Sequence, residues 1–258
     1  MKAISKTARS ALIAVTFAAA SPAAAQDAPP APATVLFVGN SYSYYNDSLH
    51  NVVLRLAREA MGEAGKGYAY RSITISGGSL KHHPFAHYLE PANIGMKSVD
   101  LMILQGFSGA ALDPERAEQF RTAVAEAVDL AEARGTRVAL YMTHARGKNH
   151  KDYGPDQAGK IAALYRETAE AEGAILLPVG EAFEEARRRR PDLSLVEFFD
   201  NHHPSDEGTY LAAATIMATL YGKSPVGLEE DMHDQIDPET VAFLQQVAHD
   251  VVLGASGG

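Results

Sequence analysis

Short apolar segments alternate with helical patterns along most of this chain, and this alternation constrains its fold more than any other feature. Four of the segments are nearly continuous apolar runs, and the remaining one alternates apolar with polar residues before a Gly-Gly pair. The segments are 34–38, 68–75, 99–104, 137–143 and 174–179. Helical spacing of apolar residues occupies 48–64, 114–134, 157–172, 181–190, 206–221 and 238–253.

Continuous apolar runs are typical of strands that are buried on both faces, as in a parallel sheet covered by helices. We therefore predict an α/β fold, a three-layer α/β/α sandwich with a mostly parallel sheet of about five strands. In such sheets, ligands bind outside the carboxyl ends of the strands. Residues that directly follow a strand are therefore the first candidates for a functional site.

The N-terminal residues have the pattern of a cleaved secretory signal. Three positive charges precede an apolar stretch at 11–20, and small residues lead up to Gln26. An apolar stretch of this length is too short to cross a bilayer as a helix. We therefore predict a signal peptide at 1–25, a Pro/Ala-rich spacer at 26–33 and a single domain at 34–258, in a protein that is periplasmic or secreted.

The charge of the chain disfavours two classes of partner. The formal net charge is −9, and it becomes −12 when the predicted signal, with its three basic and no acidic residues, is removed. Such a protein is a poor candidate for binding nucleic acid or an anionic membrane through bulk electrostatics. The chain contains no cysteine, so it forms neither a disulfide nor a lipid anchor at a cysteine.

A serine directly follows the first predicted strand. The strand at 34–38 runs into a Gly-Asn-Ser turn that ends at Ser41, which places this hydroxyl at the carboxyl edge of the sheet. A serine hydroxyl becomes a nucleophile when a histidine base lies within hydrogen-bond reach and a carboxylate orients that histidine. The spacing of Asp200 and His203 lets a turn bring the carboxylate to Nδ1 of the ring, with Nε2 free to face the serine.

At these positions the chain resembles the SGNH/GDSL hydrolase family, and in particular the subset with a G-N-S first block. The segment 39–43, GNSYS, is similar to the first block, G-D-S-x-S, and 200–203, DNHH, matches the last block, D-x-x-H. The segment 75–79, ISGGS, is similar to the second block, and 104–108, LQGFS, stands where the third block, G-x-N-D, is expected. The resemblance covers nearly the whole mature chain and implies the flavodoxin-like SGNH hydrolase fold.

The resemblance also implies a role for each matching residue. Ser41 is the expected nucleophile, His203 the general base and acid, and Asp200 the residue that orients the histidine. The backbone N–H groups of Ser41 and Gly77 are the expected oxyanion donors. The third donor of the family is an asparagine side chain in a block that this chain lacks, and Gln105 is the nearest candidate to replace it, because its amide carries the same donor on a longer arm.

Other polar and aromatic residues near the predicted strand ends are candidate substrate-binding residues. They are Asn40, Tyr42, His82 and His144. Asn40 either contributes to the oxyanion site or braces the turn, and Tyr42 either stacks on a substrate or packs the first helix onto the sheet. The chain has ten histidines but no H-E-x-x-H motif and no cysteine, so we predict no metal and no cofactor.

These inferences predict an exported serine esterase that hydrolyses carboxylic esters through a Ser-His-Asp acyl-enzyme mechanism. Its expected partner is a small-molecule or carbohydrate ester, such as an O-acylated sugar, with no nucleic acid and no stable membrane insertion. Three alternatives stay open at this point: a lipase or thioesterase that acts on longer acyl chains, a non-catalytic periplasmic binding module on the same fold, and a metal-dependent deacetylase.

Overall fold

A computed structural model describes residues 30–254, and from Ala31 onward these residues form one compact unit. The predicted signal peptide and the first part of the predicted spacer lie outside the described residues. Within 30–254, no helix combines the length and the apolar character that are needed to cross a membrane.

Five parallel strands form the central sheet. They are β1 (Thr34–Gly39), β2 (Ala69–Thr74), β3 (Leu101–Gln105), β4 (Arg137–Tyr141) and β5 (Ile175–Leu177). Their order across the sheet is β2-β1-β3-β4-β5, and every neighbouring pair is parallel. This is the flavodoxin-like order, in which the direction of winding reverses between β1 and β3. The predicted fold class is confirmed, and each predicted strand is present to within two residues at either end.

Helices cover both faces of this sheet. They are α1 (Ser41–Tyr44), α2 (Leu49–Met61), α3 (Phe85–Tyr88), α4 (Pro114–Glu132), α5 (Gln157–Ala171), α6 (Val179–Arg189), α7 (Asp206–Tyr221) and α8 (Pro238–Val252). Short 3₁₀ turns occupy Gly62–Gly67, Leu80–His82, Pro91–Ile94 and Ala110–Leu112. One apolar core packs α2, α6, α7 and α8 against one face of the sheet, and a second core packs α3, α4 and α5 against the other.

Strand β1 contributes to both cores, as the alternation of side chains along a strand requires. Val35 and Phe37 belong to the core with α7, and Leu36 and Val38 belong to the core with α4. A strand that is buried on both faces is held rigidly. The residue that follows it is therefore fixed at the carboxyl edge of the sheet.

Helix α7 starts immediately after the Asp-x-x-His segment, and close packing fixes its position. Ser205 caps its first turn by accepting a hydrogen bond from the Gly208 N–H at 3.3 Å. A Cβ atom at Gly208 would lie 2.1 Å from the carbonyl oxygen of Leu195, so any other residue would push the helix away. The glycine therefore holds the start of α7 close to the segment that leads into the Asp-x-x-His loop.

Candidate active site

The half-buried Ser41 lies at the carboxyl end of β1 and is the first residue of α1. Asn40 caps this helix, because its Oδ1 accepts a hydrogen bond from the Tyr42 N–H at 3.2 Å. The Nδ2 of Asn40 donates to the carbonyl oxygen of Gly78 at 2.9 Å and ties this turn to the one that follows β2. Asn40 is only 3% exposed and both polar atoms of its amide are paired, which favours the alternative that it braces the turn over contact with substrate.

The Gln105 side chain supports the same turn through its oxygen and one of its two amide N–H groups. Its Oε1 accepts hydrogen bonds from the Asn40 N–H at 2.9 Å and from the Ser43 hydroxyl at 3.1 Å. Its Nε2 donates to the carbonyl oxygen of Gly106. Oxygen and nitrogen cannot be exchanged here, because the Asn40 N–H needs an acceptor. Gln105 is 2% exposed and braces the turn, and its role as the third oxyanion donor stays a prediction.

A Gln105→Leu substitution is expected to lower the free energy of unfolding by about 1–3 kcal/mol, because the buried Asn40 N–H loses its acceptor. Urea denaturation of the two proteins measures the difference. Gln246→Leu is the matched control, since this exposed side chain pairs only with Asp250 and its loss should cost less than about 0.5 kcal/mol. Equal destabilisation by the two substitutions would contradict the bracing role of Gln105.

Asp200 and His203 lie in a short closed loop before α7. The Glu197 N–H donates to the carbonyl oxygen of His203 at 2.8 Å and closes the loop. Inside it, Oδ1 of Asp200 accepts hydrogen bonds from the backbone N–H groups of His202 at 2.8 Å and His203 at 3.1 Å. The Asp-x-x-His spacing therefore forms a turn in which the backbone itself holds the carboxylate in place.

Ser41, His203 and Asp200 form a continuous chain of hydrogen bonds. The Nδ1 of His203 lies 2.6 Å from Oδ2 of Asp200, and the Nε2 of His203 lies 2.8 Å from the Oγ of Ser41. Because the carboxylate accepts the Nδ1 proton, Nε2 is the unprotonated nitrogen of the neutral ring and faces the serine hydroxyl. The arrangement has the geometry of a nucleophile, a base and a group that orients the base.

The environment of Asp200 favours its charged form. Partial burial by itself would raise the pKa of this carboxyl. The hydrogen bonds from the His203 ring and from the backbone N–H groups of His203 and His202 outweigh burial and hold the pKa of Asp200 below its usual value. An ionised carboxylate at Nδ1 stabilises the positive charge that develops on the ring when Nε2 takes up a proton.

Two backbone N–H groups are free beside this chain of hydrogen bonds. In the described part of the chain, neither the Ser41 N–H nor the Gly77 N–H has a hydrogen-bond partner. Gly77 has a φ of 64°, in the left-handed region that favours glycine. The next residue, Gly78, accepts the hydrogen bond from the Asn40 side chain. Unpaired donors of this kind are available to an oxygen that carries negative charge.

Tyr42 and His144, two candidate substrate-binding residues, are buried beneath the site. Their exposed fractions are 2% and 1%, their ring centroids lie 4.5 Å apart, and His144 stacks on Phe183 at 4.3 Å. The Tyr42 hydroxyl lies 3.0 Å from Nδ1 of His202, and Nε2 of His144 donates to the His202 carbonyl oxygen at 3.0 Å. Phe183 of α6 covers His144 and His144 covers Tyr42, which favours the packing alternative for Tyr42, and substrate contact by either ring stays a prediction. Both rings support the loop that carries His203.

Tyr45 has a position in the site that the sequence analysis did not assign. Its ring lies parallel to the His203 imidazole, with centroids 4.1 Å apart and planes inclined by 7°. This contact limits rotation of the imidazole and covers one face of it. The tyrosines after Ser41 were visible in the sequence, but which of them reaches the histidine depends on how the loop before α7 folds over α1.

His82 is exposed, and its Nδ1 accepts a hydrogen bond from the Ser79 N–H at 3.1 Å. Of the four candidate substrate-binding residues, it is the one that lies at the surface, on the 3₁₀ turn after Gly77. Among the residues that the structure describes, no group of three or more His, Cys, Asp or Glu side chains is placed to hold a metal ion.

The buried His144 and the partly buried His202 predict acid-sensitive stability. Burial lowers the pKa of His144 to about 3 and that of His202 to about 4, whereas an unfolded histidine titrates near 6.5. Between these values the unfolded state binds more protons than the folded state, so the free energy of unfolding falls as the pH is lowered from about 6.5 towards 4.

Replacing His144 by phenylalanine should reduce this dependence by about 1 kcal/mol per pH unit between pH 6 and pH 5. The substitution keeps a flat ring between Tyr42 and Phe183 and removes the titrating group. Urea denaturation at the two pH values measures the slope for each protein. An unchanged slope in the variant would show that His144 takes up its proton in the folded state.

Solved structures with the same architecture identify the fold. A DUF4886 family protein from Bacteroides uniformis matches with a TM-score of 0.63 and 20% identity, over 85% of this chain and 94% of its own. A protein from Slackia heliotrinireducens that is assigned to the SGNH hydrolases matches with a TM-score of 0.56 and 22% identity, over 72% of this chain and 98% of its own. The chain has the SGNH hydrolase fold.

A further structure with the SGNH hydrolase fold is that of a catalytic mutant of an acetylxylan esterase from Geobacillus stearothermophilus. It matches with a TM-score of 0.54 and 15% identity, over 73% of this chain and 94% of its own. No protein-family model matches the sequence, and no curated protein matches it either. The likeness is therefore one of SGNH fold, and it confirms the fold that the four sequence blocks imply.

Proposed function

We propose that this protein is an exported serine esterase that hydrolyses carboxylic esters through an acyl-enzyme intermediate. The observation that carries the proposal is the chain of hydrogen bonds from Ser41 through His203 to Asp200 at the carboxyl edge of the sheet. This edge is where parallel α/β sheets bind their ligands. The expected N-terminal signal supports export.

In the first half of the proposed reaction, the Oγ of Ser41 attacks the carbonyl carbon of the ester, and its proton passes to Nε2 of His203. A tetrahedral intermediate forms, in which the former carbonyl oxygen carries the negative charge. His203 then gives the proton to the alkoxide oxygen of the leaving alcohol as the ester C–O bond breaks. Asp200 keeps the ring in the required tautomer throughout.

In the second half, a water molecule attacks the acyl-Ser41 carbonyl and gives a proton to His203. Collapse of the second tetrahedral intermediate breaks the bond to Ser41, and the serine oxygen recovers its proton from His203. The products are a carboxylic acid and the regenerated enzyme. The reaction needs only the ester and water as reactants.

Stabilisation of the negative oxygen is assigned to the free N–H groups of Ser41 and Gly77. A third, side-chain donor is typically worth about 10²–10³ in kcat. Because Gln105 is committed to the turn, we expect turnover to be slower than in a site with three donors. Two preorganised donors still leave a substantial part of the rate enhancement in place.

Acyl groups on carbohydrates are the proposed substrates. Two observations support this class: one solved structure of the same fold is an acetylxylan esterase, and the expected export places the protein where polymeric carbohydrates occur. A 4-nitrophenyl ester series from acetate to octanoate measures the acyl length that the site accepts. A panel of acetylated sugars then tests which alcohol the site accepts.

A non-catalytic binding module is the second candidate, favoured by the engagement of the Gln105 amide with the Gly106 carbonyl oxygen, where the family has a side-chain oxyanion donor. Fluorophosphonate labelling followed by peptide mapping separates the two. An esterase should be labelled stoichiometrically at Ser41 and should hydrolyse 4-nitrophenyl acetate equally well with and without EDTA. No labelling and no hydrolysis would reject the esterase, and loss of hydrolysis in EDTA would indicate metal-dependent chemistry instead.

A further inference from the structure

A cavity of about 250 Å³ adjoins the turn that carries Gly77. Its floor is apolar and includes Leu80, Phe107 and Phe120, which come from the turn after β2, the segment after β3 and helix α4. Because Gly77 lines the cavity and is the second proposed oxyanion donor, one of the two groups attached to the bound carbonyl would lie next to it. The volume is below the range typical of drug-sized ligands, so the cavity suits a short group.

The rim of this cavity is cationic. Lys81 and Arg116 line it, and within the described part of the chain neither side chain has a carboxylate within ion-pair distance. The Arg116 guanidinium lies over the Phe107 ring, 5.0 Å from its centroid, and is otherwise exposed. Most other arginines in the described residues are paired with acidic side chains, as Arg121 is with Glu118.

His82 adds a neutral donor to the same rim. Its Nδ1 accepts the hydrogen bond from the Ser79 N–H, so the proton of the neutral ring lies on Nε2. Two acidic side chains at the start of α4 accept hydrogen bonds from other groups. Oδ1 of Asp113 accepts from the Arg116 backbone N–H and Oε1 of Glu115 accepts from the Gln119 side chain, and neither carboxylate lines the cavity.

A cationic rim is unusual in a chain with a net charge of −9, because the bulk field of such a protein repels anions. Two unpaired cations and a neutral donor above an apolar floor match a short group that ends in a carboxylate. Guanidinium and carboxylate groups form paired hydrogen bonds, and an arginine held on an aromatic ring is already oriented to make them.

We propose that the cavity beside Gly77 binds a carboxylate carried by the substrate, so that the preferred esters are anionic. Arg116 binds the carboxylate, Lys81 and His82 assist it, and the apolar floor contacts the carbon chain that links the carboxylate to the ester. This inference rests on the proposed esterase function and names the substrate class of the same site. The carboxylate belongs either to the acyl group or to the alcohol.

Two pairs of esters test the inference and locate the charge. The acyl arm compares 4-nitrophenyl adipate, which ends in a carboxylate, with 4-nitrophenyl hexanoate of equal chain length. The alcohol arm compares 4-(acetoxymethyl)benzoate with benzyl acetate. In one arm we expect kcat/KM for the anionic ester to exceed that of the neutral ester by about tenfold. Added salt should reduce this ratio, because the cations are exposed.

Arg116→Gln should lower the ratio of anionic to neutral kcat/KM by about tenfold, and Lys81→Gln should lower it about threefold. Arg121→Gln is the matched control, since this arginine lies on the same helix but pairs with Glu118 at the surface, and it should leave the ratio unchanged. A ratio near one in both arms, or an equal ratio in wild type and Arg116→Gln, would overturn the inference while esterase activity stands.

If no ester is hydrolysed, calorimetry tests the carboxylate site separately from the esterase function. That outcome contradicts the esterase, but the cavity can still be tested by titrating the protein with monoethyl adipate and with ethyl hexanoate. Binding of the carboxylate alone, weakened about tenfold by Arg116→Gln, would support the inference without catalysis. Equal binding of the two esters, or an equal affinity in the variant, would overturn it.

Discussion

Ser41→Ala is expected to lower kcat for ester hydrolysis by about 10⁶, the typical cost of removing the nucleophile of a serine hydrolase. The Oγ of Ser41 lies 2.8 Å from Nε2 of His203, and within residues 30–254 no other hydroxyl is hydrogen-bonded to that nitrogen. The Ser41→Ala variant still binds the substrate and keeps the two oxyanion donors. These alone leave a residual rate above that of the reaction in water. Steady-state hydrolysis of 4-nitrophenyl acetate measures the change.

Ser43→Ala is the matched control for this prediction. Ser43 lies on the same short helix and is buried, and its hydroxyl donates to Gln105 and not to the histidine. Losing this hydrogen bond is worth about 1 kcal/mol, so kcat should change less than about tenfold. Comparable rates for Ser41→Ala and the wild type would show that Ser41 is not the nucleophile and would contradict the proposed mechanism.

Asp200→Asn is expected to lower kcat by about 10⁴ with little effect on the melting temperature. The asparagine oxygen can still accept the backbone N–H groups of His202 and His203, so the loop keeps its shape. Its Nδ2, however, donates to Nδ1 of His203. The ring proton then moves to Nε2, which can no longer accept the proton of Ser41. Kinetics and thermal denaturation of one preparation measure both effects.

Glu197→Gln serves as the control for the aspartate, because Glu197 lies in the same loop and carries the same charge. Its side chain makes no hydrogen bond to His203, so the variant should keep most of its activity. If Asp200→Asn retained wild-type kcat, the carboxylate would have no part in orienting the base. If it instead unfolded at a much lower temperature, its role would be to hold the loop.

The positions of the catalytic candidates could be predicted because they depend on short segments of chain. The strand at 34–38 is apolar from Val35 to Val38, so its end at the Gly-Asn-Ser turn is marked by composition alone. Likewise, the turn between Asp200 and His203 is held by hydrogen bonds from the backbone N–H groups of His202 and His203 to the Asp200 carboxylate, which local spacing can specify. Both features were therefore visible in the linear sequence.

The sequence did not show the contacts of single polar side chains whose partners come from distant parts of the chain. Gln105 ends the apolar strand β3, a position that an exposed donor could also take, but β1 and β3 are neighbours, and the Gln105 oxygen accepts the Asn40 N–H. His144 also follows a strand, yet Phe183 from α6 covers its ring. A sequence pattern indicates where a strand ends but not which later helix packs over that end.

The sequence by itself determined the order of strands and helices, the serine at the first strand end and the Asp-x-x-His turn, because apolar periodicity and local hydrogen bonding act over a few residues. The tertiary structure decided which side chains reach solvent: it buried Asn40, Tyr42 and His144, and it left the cations around the cavity near Gly77 unpaired. Burial and ion pairing depend on contacts between segments far apart in the chain, and only the packing of the two helical layers on the sheet brings those segments together.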